Sequence, residues 1–200
     1  MRESMPALTR RFVTFGSMNN PRKISAPAVA LWARVLGAVP RSRLLVHLEQ
    51  YGREALLEAL AARGIEAQRV EFAPRVSRRA YLERHSEIDI ALDTFPFAGG
   101  TTTLDALWMG VPVVTLSGRT ALQRAGVSIA MNLGLPELVA QTEDEFVARA
   151  AALAGDLAQL SALRATLRAR LEASPLGDAP RFARQLEAAY RGAWREYCAR

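Results

Sequence analysis

Cysteine and histidine are nearly absent. The single cysteine, Cys198, cannot close an internal disulfide, and two histidines, His47 and His85, are too few for an ordinary zinc site without several carboxylates. No apolar run approaches the roughly eighteen residues of a membrane span. The segment Met1 to Arg11 carries three arginines and one acid but no continuous apolar stretch followed by small residues, so it does not read as a secretory signal and the expected location is the cytoplasm. Neither G-x-G-x-x-G nor G-x-x-x-x-G-K-[ST] occurs, which counts against a nicotinamide enzyme and a P-loop NTPase.

What remains is the composition of a folded protein. Half of the 200 residues are hydrophobic and 23% are charged, so disorder is excluded, and a chain of this size buries roughly 70% of its extended surface. Lysine and arginine exceed aspartate and glutamate by 26 − 20 = 6, giving a pI near 10.4. That balance suits phosphorylated small molecules, an acidic surface or nucleic acid. Many of the arginines (Arg164, Arg168, Arg170, Arg181, Arg184, Arg191, Arg195) are spread along helical segments with no basic block interleaved by aromatics, which reads as solvated helix faces.

Apolar runs and helical stripes alternate. Arg11 to Phe15 reads as a strand, followed by the turn Gly16-Ser17 and Asn19-Asn20-Pro21. Ser25 is placed to cap a helix, with Pro27 in its first turn and Ala28, Leu31, Trp32, Val35, Leu36 and Val39 at helical spacing up to Pro40. The cycle continues through a strand at Leu44 to Leu48, a helix at Glu54 to Ala62 and a strand at Arg69 to Ala73. It ends with a helix at Ser77 to Ser86, a strand at Ile88 to Leu92, a helix opened by Thr101-Thr102 and a strand at Val111 to Leu116. Four to five parallel strands with crossover helices make an α/β fold, a single Rossmann-like open sheet.

From Arg124 onward only helices are expected. Thr142 to Glu145 has the form of a capping box, Leu160, Leu163, Leu167 and Leu171 form a stripe, and Phe182, Leu186, Tyr190, Trp194 and Tyr197 form another. No linker or repeat divides the chain, so residues 1–200 read as one domain, with a core at about 11–140 and a helical C-terminal extension at about 142–198.

Ligands of an open parallel sheet sit beyond the carboxyl ends of its strands, so chemistry is sought in those loops. The segment Asp93-Thr94-Phe95-Pro96-Phe97-Ala98-Gly99-Gly100-Thr101-Thr102-Thr103 brings a glycine pair and three hydroxyls to a helix start, where free amides and the helix dipole favour a phosphate. A plain alternative is a tight connection in which Thr101 or Thr102 only caps the helix. The other loop, Met18 to Ile24, offers Lys23, whose ammonium would neutralise diphosphate oxygens if both loops meet.

These residues together resemble a known family. Phe15-Gly16-Ser17-Met18-Asn19-Asn20 with Lys23-Ile24, Leu92 to Pro96, Gly99 to Thr103, Asp105 to Thr115, Gly134 to Leu138 and Ser174-Pro175-Leu176 are similar to the O-linked N-acetylglucosamine transferase and SPINDLY family, over about Phe12 to Tyr197. The resemblance implies the C-terminal, nucleotide-binding half of a two-domain GT-B glycosyltransferase, without the family's superhelical repeats or N-terminal catalytic half. It implies a nucleotide-sugar ligand, a protein Ser/Thr acceptor, an N-terminal lobe or repeat-bearing partner, inversion by direct displacement, and no metal or other cofactor; the lack of a D-x-D pair agrees with the last. Nucleic acid and membrane partners are not expected.

Residue by residue, the resemblance makes Lys23 the group that contacts the diphosphate and assists the leaving group. It puts Gly99, Gly100, Thr101 and Thr102 at the phosphates, Asp105 at the ribose hydroxyls, and Val76 and Arg78 at the base. Asn20 replaces a glutamine of the animal enzymes, Gly100 a histidine, and Tyr81 another histidine near the nucleotide, so UDP-N-acetylglucosamine and GDP-fucose both remain open as donors. A noncatalytic nucleotide-binding module is the alternative class. His47 and His85 are read as surface or structural, and the final helix with Trp194 and Tyr197 as a face exposed when the other half is missing.

Overall fold

The computed structural model describes residues 5–199. After a short helix α1 (Pro6–Arg10), strands β1 (Val13–Ser17), β2 (Ser42–His47), β3 (Val70–Ala73), β4 (Ile90–Leu92), β5 (Val113–Leu116) and β6 (Val139–Ala140) form one parallel sheet in the order β3-β2-β1-β4-β5-β6. Helices α2 (Ala26–Ala38), α3 (Arg53–Ala61), α4 (Arg78–Glu83), α5 (Thr101–Trp108) and α6 (Ala125–Asn132) make the crossovers. Helices α7 (Glu143–Gly155), α8 (Leu157–Ala173) and α9 (Ala179–Cys198) follow.

The order reverses between β1 and β4, and this places the site. Phe15 pairs with Ile90 and Gly16 with Ala91, so the chain leaving β1 and the chain leaving β4 emerge side by side although 75 residues separate the paired positions. The strands are largely buried because both faces are covered: α2 packs on α3 and α7, and α5 on α6 and α8. Leu44, Ile90, Val114, Leu36 and Phe146 are all at most 1% exposed.

Local chemistry sets the helix ends. Ser25 accepts the amide of Ala28 at 3.2 Å, with Pro27 in the first turn as the sequence predicts. Thr142 accepts Glu145 N, but the Glu145 carboxylate returns to Gln141 N at 2.9 Å, one residue before the position a capping box requires; the complete box is Thr120 with Gln123.

Three further expectations are corrected. The segment after Arg124 is not helical throughout, because Val139–Ala140 adds a sixth strand on β5, too short to show a two-residue period. The predicted first strand starts two residues late, at Val13, because Arg11 is taken up as the left-handed cap of α1. The predicted helix from Ser77 to Ser86 ends at Glu83, and Arg84–Glu87 forms a 3-10 turn. Among the described residues no single helix is long and apolar enough to cross a membrane.

Candidate functional site

The two loops at the reversal are joined by side chains. Asn20 caps the short turn Pro21–Lys23 by accepting Arg22 N at 3.0 Å, and the turn lifts Lys23 towards the loop that follows β4. There the ammonium donates to the carbonyl of Ala98 at 2.9 Å and lies 4.0 Å from the ring centre of Phe97. Burial pulls the Lys23 pKa down, and the nearby Asp93 carboxylate pulls it back up. One residue before Asn20, Asn19 Oδ1 accepts the Thr102 hydroxyl at 2.7 Å.

The loop after β4 is shaped by Asp93. Its Oδ1 accepts the amides of Thr94 (2.8 Å) and Gly99 (2.7 Å), its Oδ2 accepts the Thr115 hydroxyl (2.8 Å), and its backbone carbonyl accepts Trp32 Nε1 (3.2 Å). Burial pushes this carboxyl up to about 6 against those donors. Ser25 adds a hydrogen bond to the Phe95 carbonyl. Asp93 therefore ties β4, β5, α2 and the glycine turn into one unit.

At that turn Gly99 admits no side chain: a Cβ there would overlap Thr103 Oγ1 and stand 3.0 Å from Thr102 Oγ1 and 3.1 Å from Asn19 Oδ1. The next position, Gly100, faces open space. Gly100 begins α5 with no side-chain cap, so the reading of Thr101 or Thr102 as a simple cap fails. The first-turn amides of α5 therefore have no side-chain acceptor at the N-cap, and the carbonyl that Lys23 holds, Ala98, lies two residues before Gly100.

A second group forms nearby. Arg78 grips Asp105 with both guanidinium branches, at 2.7 and 2.5 Å, and lies 5.4 Å from the Tyr81 ring. The Tyr81 hydroxyl donates to the Met18 carbonyl at 3.2 Å, and burial pushes its pKa up to about 12. Val76 is half-buried in the loop before α4. The structure thus gathers Lys23, Gly99, Gly100, Thr101 and Thr102 in one corner and Arg78, Tyr81 and Asp105 in another, both reaching the segment that leaves β1; Asn20 turns outward as a cap.

Asn19 and Asp93 were not among the expected site residues. An acid closing the apolar run Ile90–Leu92 was a readable signal for Asp93; nothing in the sequence separates Asn19 from Asn20. His47 is half-buried, with Nδ1 3.1 Å from the Ala73 carbonyl, and His85 is buried at 1% exposure.

The sheet order, crossovers and site edge define one Rossmann-like half of a GT-B glycosyltransferase. An O-GlcNAc transferase from Thermobaculum terrenum, solved as a point mutant, superposes with a TM-score of 0.88 at 40% identity over 94% of this chain and 37% of that one. The Staphylococcus aureus TarM structure, at 10% identity and TM-score 0.61, shares the fold alone. By sequence the chain belongs to glycosyl transferase family 41, whose model matches residues 3–186. The SPINDLY protein of Petunia hybrida, named a probable UDP-N-acetylglucosamine–peptide N-acetylglucosaminyltransferase, is 46% identical over 96% of this chain. The UDP-N-acetylglucosamine–peptide N-acetylglucosaminyltransferase of Caenorhabditis elegans is 30% identical over 92%. The chain spans only 21% and 16% of those two relatives.

Proposed function

We propose that this domain binds the nucleotide-sugar donor of a protein O-glycosyltransferase, UDP-N-acetylglucosamine or a close relative, and that transfer to a Ser or Thr hydroxyl requires an N-terminal lobe to close over it. The observation that carries the reading is the meeting of Lys23 with the uncapped start of α5 around Gly99. A diphosphate seated on the α5 amides would take further hydrogen bonds from Thr101 and Thr102, and Lys23, which retains two N–H donors beyond its bond to Ala98, would neutralise charge growing on the departing nucleotide. Asp105 keeps a second lone pair on each oxygen while Arg78 holds it, enough to accept ribose hydroxyls. In this reading the sugar leaves by direct displacement with inversion, without metal, and the exposed face of α9 seats the N-terminal lobe.

Titration calorimetry with uridine and guanosine diphosphates, on the chain and on Lys23→Ala, tests the reading. A charge-assisted hydrogen bond contributes about 1.5–3 kcal/mol, so the variant should bind ten- to a hundredfold more weakly. Equal affinity in the variant removes Lys23 from the site. Failure of both nucleotides to bind the parent chain removes the donor reading for the isolated domain, and the preferred nucleotide decides between the two bases.

A further inference from the structure

Behind the donor corner lies a small cavity whose lining includes Ser17 at the end of β1, His85 in the turn before β4, and Thr103 in the first turn of α5. Ser17 Oγ, His85 Nε2 and Thr103 Oγ1 are each buried with no hydrogen-bond partner among the described residues, on residues 2%, 1% and 4% exposed. Buried polar atoms are nearly always paired, so three such atoms around one cavity point to a ligand. The volume open to the centre of a water-sized sphere is about 10 Å³, room for one water and nothing larger.

The histidine tautomer follows from its other nitrogen. His85 Nδ1 lies 3.1 Å from the Tyr81 carbonyl and 3.2 Å from the Leu82 carbonyl, and carbonyls only accept, so Nδ1 carries the proton. Burial lowers the imidazole pKa and favours the neutral ring, which leaves Nε2 as a lone-pair acceptor. Ser17 and Thr103 each supply a hydroxyl that can donate or accept.

We propose that this cavity is a binding site for a single water molecule, which donates to His85 Nε2 and exchanges hydrogen bonds with Ser17 Oγ and Thr103 Oγ1. Its place gives it a task. It joins from beneath the three segments that carry Lys23, Tyr81 and Thr102, and so fixes their spacing. The proposal stands on these three atoms and does not depend on which ligand the corner above binds.

The sign of a mutational effect decides it. If the water is present, Thr103→Val and Ser17→Ala each remove a hydrogen bond and lower the folding equilibrium constant two- to tenfold in urea titration. If the cavity is dry, each variant deletes an unsatisfied buried hydroxyl, and the constant stays equal or rises, which overturns the proposal. A high-resolution crystal structure of the chain gives the independent check: a density peak 2.7–3.2 Å from all three atoms supports the site, and an empty cavity sinks it.

Discussion

Along α2, Leu31, Trp32, Val35 and Leu36 recur at helical spacing and are 0–2% exposed; along α9, Phe182, Leu186, Tyr190, Trp194 and Tyr197 recur at the same spacing and are 40–72% exposed. The sequence pattern is alike, and the surroundings are opposite. A helical period reports that a helix has a face to bury. It does not report whether the partner lies in the same domain. For α2 the partners are the sheet, α3 and α7, and Trp32 also reaches the Asp93 carbonyl just beyond the carboxyl end of β4. For α9 no residue is buried at all, so its apolar face is left uncovered by the described residues.

The largest effect expected from this contrast is at Trp32. Its replacement by alanine empties a fully buried site and removes the indole bond to Asp93, and should cost about 3–5 kcal/mol in urea unfolding. A cost below about 1 kcal/mol would mean that burial in α2 is not what holds the sheet, and the comparison with α9 would lose its basis.

The same contrast recurs between two neighbouring glycines. An added methyl at Gly99 overlaps Thr103 and crowds Asn19 and Thr102, whereas at Gly100 it meets nothing within 4 Å. Gly99→Ala should destabilise by about 1–3 kcal/mol, the range for overpacking, and weaken nucleotide binding with it. Gly100→Ala should stay within about 1 kcal/mol of the parent. Equal costs in thermal unfolding would show that the corner yields more easily than its packing implies.

How much of this was legible beforehand follows from the range of each interaction. Five strands were readable because each is a short apolar run between turn residues, and the helix stripes were readable from spacing within one element. Strand β6 and helix α1, two and five residues long, are too short for their periods to repeat. In the site, the glycine pair and threonines of 99–103 were legible because their chemistry is local. The roles of Asn19 and Asp93 were not: Asn19 meets Thr102 across 83 positions and Asp93 meets Thr115 across 22, and only the pairing order of the strands creates those contacts. Arg78 illustrates the same limit. The family resemblance puts it at the base, and its pairing with Asp105, 27 residues away, is a contact that no local pattern announces.

The smallest expected effect is the most telling for α9. Trp194 is 65% exposed and stacks on Tyr197 at 5.8 Å, a contact within its own helix that ties it to nothing else in the domain. Trp194→Ala should therefore change unfolding stability by less than about 0.5 kcal/mol, against several for the same substitution at Trp32. The two variants, made in one background and unfolded in the same urea series, set a covered tryptophan beside an uncovered one with the chemistry of the change held constant. A loss at Trp194 of the size expected at Trp32 would mean that α9 folds back onto this domain in solution, and its apolar face would then belong to the core rather than to a docking surface for another lobe.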